Sequence, residues 1–153
     1  MILLAHMLFG AAIGSLANNA YMAVFLAFLS HYFLDLFPHI EYLTSTENSI
    51  RKLKTKHLEQ YLPDVAKTLI DFCLGLVMVA IFSPHPLSYL CALVAVIPDG
   101  LTIVTLLFPS PILEKHHIIH TQKIHYLTKK KHFPIFIRIM TQVIALLVSV
   151  MIL

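Results

Sequence analysis

The block SHYFLDLFPH, residues 30–39, puts two imidazoles and a carboxylate at the end of an apolar run of membrane-spanning length. In a helix that continues to the proline, His31 and Asp35 are four residues apart and share one face. Pro38 loosens or ends that helix, leaving His39 free to turn back toward Asp35. Two nitrogen donors and one oxygen donor this close together suit a divalent cation, zinc first, with manganese, iron or magnesium as alternatives. Ionisable groups inside a membrane segment are costly, so their default explanation is functional. The bland alternative is a polar helix end bonded to headgroups and neighbours.

Other histidines and aspartates recur in similar settings. His6 lies near the start of the first apolar run, and Asp71 sits about two turns into the third. Asp99 follows a proline inside the fourth, and His116, His117 and His120 come in the polar stretch after it. Simpler readings exist for some of these. His6 could be an interfacial side chain, Asp99 a cap on the second half of a broken helix, and His116–His120 a surface helix against anionic headgroups. They leave Asp35, Asp71 and Asp99 together unexplained, because an uncompensated carboxylate in a membrane helix costs about 3 kcal/mol. One shared divalent cation, or two, would offset that cost.

The elements that must position these residues follow from composition. The chain has 153 residues, 58% hydrophobic and only 12% charged; a soluble domain would carry about a quarter charged residues. The expected fold is a single all-α integral membrane domain, residues 1–153, with about five transmembrane helices near 2–17, 20–37, 64–82, 87–108 and 134–153. The first apolar run has no preceding Lys or Arg and is expected to stay as a short helix rather than act as a signal peptide. Gly10 and Gly14 form a GxxxG face for close helix approach. Pro63-Asp64 opens the third helix, Ile97-Pro98-Asp99-Gly100 interrupts the fourth, and the last looks like a plain anchor.

Surface helical segments are expected in the two long polar loops, one of them around Thr46–Tyr61. All eleven Lys and Arg residues fall in those loops or in adjoining helix ends. By the positive-inside rule that side is cytoplasmic, with the N-terminus inside and the C-terminus outside. The Lys129–Lys131 run reads as a topology and lipid-contact signal, with nucleic-acid binding a distant second. Cys73 and Cys91, in apolar runs at different depths, do not suggest a disulfide or a cysteine metal site. On this topology His6, His31, Asp35, Asp71 and Asp99 all fall in the cytoplasmic half, where inward side chains of facing helices can build a metal site.

His6 followed by Gly10, SHYFLDLFPH at 30–39, IPD at 97–99 and HHIIH at 116–120 resemble small bacterial membrane proteins described as metal-dependent hydrolases. The LexA-regulated inner-membrane hydrolase family is the named example. In that family the Pro-Asp and histidine cluster precede the SHxxxD block, whereas here they follow it. The resemblance implies a bacterial inner-membrane location and a hydrolytic activity. The histidine and aspartate richness is also similar to zinc-dependent phospholipase C, which implies phosphoester substrates.

Two classes of function follow. The first is a metal-dependent hydrolase of the cytoplasmic leaflet acting on a lipid or lipid-linked phosphoester. His6, His31, Asp35, His39, Asp71, Asp99, His116, His117 and His120 are its candidate ligands. Asp99 or Asp71 is its candidate general base, and Lys67 and Lys115 are candidates for holding an anionic headgroup. The second is a non-enzymatic membrane metal-binding, transport or assembly protein. The absence of an internal repeat weighs against transport. There is no GxSxG, P-loop or dinucleotide fingerprint. The oligomeric state stays open, a homo-oligomer included.

Overall fold

The computed structural model describes residues 1–40, 62–108, 110–125 and 133–153. The surface helix expected around Thr46–Tyr61 and the Lys129–Lys131 run lie outside the described residues. Those described form seven α-helices and one π-helical turn, with no strand among them. In chain order the helices are α1 (Leu3–Leu16), α2 (Ala20–Asp35), α3 (Leu62–Phe82), α4 (Pro86–Ala95), α5 (Ile97–Leu107), α6 (Pro111–Ile118) and α7 (Ile135–Ile152). The π-turn, Ile119–Ile124, continues directly from α6.

Local chemistry sets most of these boundaries. Asn19 caps α2 by accepting from the Met22 N–H at 3.1 Å, Ser110 caps α6 by accepting from Leu113 at 3.4 Å, and Pro86 and Pro111 open their helices without losing a needed donor. His85, in the turn before α4, is its cap: Nδ1 accepts from the Leu87 N–H at 3.3 Å. Helix α1 has no side-chain cap of its own. Asp71 reaches across from α3 and accepts the Leu4 N–H at 3.1 Å, satisfying one of the donors orphaned at a helix start.

Helix α1 is apolar all round and occupies the centre, packed against α4, α2, α7 and α3. Its GxxxG face meets α4. A Cβ on Gly10 would lie 2.6 Å from the Cys91 carbonyl oxygen and 2.7 Å from the Ala95 Cβ, and one on Gly14 would lie 2.8 Å from the Leu87 carbonyl oxygen. Cys73 is exposed and Cys91 buried, and both are free thiols.

The fourth apolar run is two helices bent by 40° where α4 gives way to α5. Pro98 supplies no N–H, so the α4 ladder cannot continue through it. Two helices, α3 and α7, are long and apolar enough to cross a bilayer, or three if the bent α4–α5 pair is one span. Helices α1 and α2 are apolar but only 14 and 16 residues long, short of the ~20 residues of a full span. The outer face of α2 exposes Tyr21, Met22, Phe25, Leu29 and Phe33, and α7 exposes Ile144, Leu147 and Met151. Apolar faces this extensive are characteristic of surfaces that meet lipid or another protein.

Gly10→Val should force α1 and α4 apart, lowering stability by about 1–3 kcal/mol, the usual cost of overpacking. A Cβ on Gly100, inside α5, meets nothing within 4 Å, so Gly100→Ala should raise stability in detergent by about 0.5–1 kcal/mol.

Candidate metal centre

The centre is built around Asp35, the last residue of α2 and fully buried. Past it the chain tightens: the N–H groups of Leu36 and Phe37 bond to the carbonyls of Phe33 and Leu34. Pro38 then ends the helix and His39 folds back, its Nε2 3.6 Å from Asp35 Oδ1. Helix α7 holds this return in place through backbone carbonyls. Arg138 donates to the His39 carbonyl at 2.7 Å, Gln142 to that of Ile40 at 2.9 Å, and Thr141 to that of Pro38. The expected plain anchor is thus a clamp on the residues that seat His39.

Four side chains from three parts of the chain converge there. His31 Nε2 is 3.1 Å from Asp35 Oδ2, 3.5 Å from Asp99 Oδ1 and 3.1 Å from His120 Nε2. His120 Nε2 is in turn 3.3 Å from Asp35 Oδ2 and 3.9 Å from Asp99 Oδ1. All four residues are buried. Tetrahedral coordination with bonds of ~2.0–2.1 Å would put ligand atoms roughly 3.3 Å apart, close to the spacing seen here.

Hydrogen bonds determine which ring nitrogens carry protons. His31 Nδ1 is 2.7 Å from the Ala95 carbonyl, which only accepts, so Nδ1 holds the proton. That carbonyl lies at the α4–α5 break. The Thr102 hydroxyl lies 3.3 Å from the Pro98 carbonyl and 3.2 Å from His120 Nδ1, and when it donates to the carbonyl it accepts from the ring. The two Nε2 atoms are 3.1 Å apart, and each also faces Asp35 Oδ2, at 3.1 Å from His31 and 3.3 Å from His120. Two buried carboxylates beside these nitrogens require positive charge among them, a proton or a cation. A shared proton serves two of these atoms; a divalent cation serves all four.

A second group adjoins the first through the same carboxylate: Asp35, His39 and His125 offer ligand atoms within 4.8 Å of one another. His125 Nε2 is 3.2 Å from Asp35 Oδ2. His6, on buried α1, stacks on His31 with ring centroids 4.0 Å apart and places Nε2 3.2 Å from Asp35 Oδ1. Its Nδ1 is buried without a hydrogen-bond partner. The Met1 α-ammonium donates to Asp35 Oδ1 at 2.7 Å, a buried ion pair.

The remaining candidates are placed differently. Asp99, considered as a base outside the ligand set, lies within it, in the first turn of α5 where the helix dipole favours a carboxylate. Asp71 is outside both ligand groups and bonds the start of α1. His117 is half-buried on α6 and also outside both groups. His116 is at the rim, its Nε2 2.9 Å from the Tyr32 hydroxyl. Burial, and then the imidazoles of His120, His31 and His117, lower its pKa from the ordinary histidine value. Burial likewise lowers that of His120, against the opposing pull of Asp35 and Asp99. Lys67 and Lys115 are exposed on α3 and α6, outside the ligand groups.

His125 and Thr102 were not among the sequence candidates. His125 is five residues beyond His120, which in an α-helix is a rotation of about 140°. The π-turn brings the two together: His125 N–H bonds to the His120 carbonyl at 3.3 Å, a five-residue step. Turns of this kind are frequent at functional sites. No protein-family model, curated protein or solved structure matches the chain.

Asp35→Asn should abolish stoichiometric metal binding, measured by elemental analysis of detergent-purified protein. Asp71→Ala should retain the metal and lower stability by about 1 kcal/mol, the worth of a helix cap.

Proposed function

We propose that this chain is a metal-dependent hydrolase embedded in the inner membrane, acting on a lipid or lipid-linked phosphoester at the cytoplasmic leaflet. The observation that carries this reading is the 3.1 Å approach of two imidazole Nε2 atoms beside two buried carboxylates. His31, Asp35, Asp99 and His120 would hold the cation, and the chemistry of this donor set suits zinc, with manganese, iron and magnesium as alternatives. A divalent cation supplies Lewis acidity, acidifying water and polarising a phosphoryl oxygen. In the hydrolysis, the oxygen of water bonds to phosphorus, the ester P–O bond breaks, and a proton passes to the departing oxygen.

The protein's own groups handle that proton. His116, with its lowered pKa, is neutral at pH 7 and able to accept a proton at the rim, where the Tyr32 hydroxyl 2.9 Å away fixes its ring. Lys115, exposed next to it on α6, is suited to an anionic headgroup. In this reading α1 and α2 complete a five-span bundle, with the bilayer thinned locally around their shorter lengths. The basic loops are cytoplasmic and the C-terminus is outside.

A second reading, a non-enzymatic membrane metal-binding or assembly protein, is favoured by one observation: the His31, Asp35, Asp99 and His120 set supplies four protein ligands, as closed structural sites do. Turnover of phospholipids or lipid-linked phosphates by the purified protein separates the two. The hydrolase should lose activity on chelation and regain it with zinc. His116→Gln should lower kcat about 10²–10⁴-fold, the usual contribution of a positioned acid–base group, with metal content unchanged. A stoichiometric metal without turnover on either lipid class would select the second reading.

A further inference from the structure

We infer that the chain binds a second divalent cation, held by His39 and His125 and sharing Asp35 with the first, so that the centre is dinuclear. This rests on the metal-binding reading above and extends it. The His31–Asp99–His120 side of the cluster makes use of Asp35 Oδ2 at 3.1 and 3.3 Å. Three further buried imidazoles are directed at the same carboxylate, His6 at 3.2 Å and His39 at 3.6 Å from Oδ1 and His125 at 3.2 Å from Oδ2; of these, His39 and His125 form one ligand group with Asp35. Their rings meet edge to face with centroids 5.2 Å apart.

The tautomer of His39 is set as it is for His31. Its Nδ1 is 2.6 Å from the Phe37 carbonyl, which can only accept, so the proton is on Nδ1 and the Nε2 lone pair faces Asp35. Metal-ligating histidines characteristically donate their other N–H to a carbonyl in this way. Here the carbonyl belongs to the tight turn before Pro38, and α7 holds the segment down from the other side. The π-turn brings His125 to the carboxylate that His120 already faces. Both features produce a second donor set rather than a better first one.

The two sets differ in kind. The first has four protein ligands, whereas Asp35, His39 and His125 offer three. Two histidines and one carboxylate leave coordination positions open for water or substrate, as catalytic sites do. Paired cations about 3.5–4 Å apart are characteristic of enzymes that hydrolyse phosphoesters, where they clamp both the attacking and the leaving oxygen. The substrate class that fits is therefore a phosphoester.

The test uses full-length protein in detergent, stripped by chelation and titrated with Mn²⁺ in the presence of a weak competing chelator. Binding is counted by elemental analysis, and coupling is read by electron paramagnetic resonance. Wild type should take up two equivalents and give the spectrum of an exchange-coupled pair. His125→Ala and His39→Asn should each fall to one equivalent and an uncoupled Mn²⁺ signal, and Asp35→Ala should lose both. One equivalent in wild type, unchanged in His125→Ala and His39→Asn but lost in His31→Ala, overturns the second site and leaves the first standing. Two uncoupled equivalents in wild type overturn the shared carboxylate. No tight binding in wild type overturns the metal reading itself, and the second site with it. Should the alanine variants fail to fold, the wild-type count and spectrum still decide.

Discussion

Five imidazole nitrogens, from His6, His31, His39, His120 and His125, lie 3.1–3.6 Å from the two oxygens of one buried carboxylate. A carboxylate has about four lone-pair positions, so it cannot accept a hydrogen bond from each ring and from the Met1 nitrogen as well. The Nδ1 protons of His31 and His39 are committed to the Ala95 and Phe37 carbonyls, and His120 Nδ1 lies against the Thr102 hydroxyl. So many nitrogens around one buried carboxylate must be bridged by positive charge or be driven apart. The rest of the fold keeps them together.

It does so with devices that are individually ordinary. Two glycines on α1 let α4 approach at backbone distance, so that the end of α4 lies where His31 can reach the Ala95 carbonyl. The break at Pro98 starts a new helix whose first turn carries Asp99, and one turn on Thr102 orients His120. Three polar side chains of α7 grip the carbonyls of residues 38–40, tying the last described helix to the end of the second. Each gives up some freedom of packing to fix a ligand atom, which is how a site on short helices is kept rigid.

The outside of the molecule follows a different rule. Large apolar side chains cover the outer faces of α2, α3 and α7, and polar groups gather within. In a bilayer the apolar faces need no partner, while every interior polar group must be satisfied by the protein itself. Asp71 fits that requirement as well as any ligand does. It is a carboxylate within an apolar helix whose use is to receive an orphaned N–H at the start of α1. A costly buried acid therefore need not be chemical in its purpose.

Much of this could be read from residue types and spacing. The four-residue step from His31 to Asp35, the proline that frees His39, the GxxxG face and the proline break before Asp99 all follow from helix period and backbone rules, which are local. The helical class followed from apolar run length, although α1 and α2 are shorter than a full span and α4–α5 is bent. What spacing could not reveal was partnership across the chain. Asp71 and Asp99 look alike in sequence, yet one caps a helix and the other joins the ligands, because only packing determines which neighbour each carboxylate meets. His125 was hidden for a related reason: a π-turn changes the helical period, and α-helical spacing assigns that residue to the wrong face. Local rules put histidines and acids on helices; the close approach of those helices decided which of them share a centre.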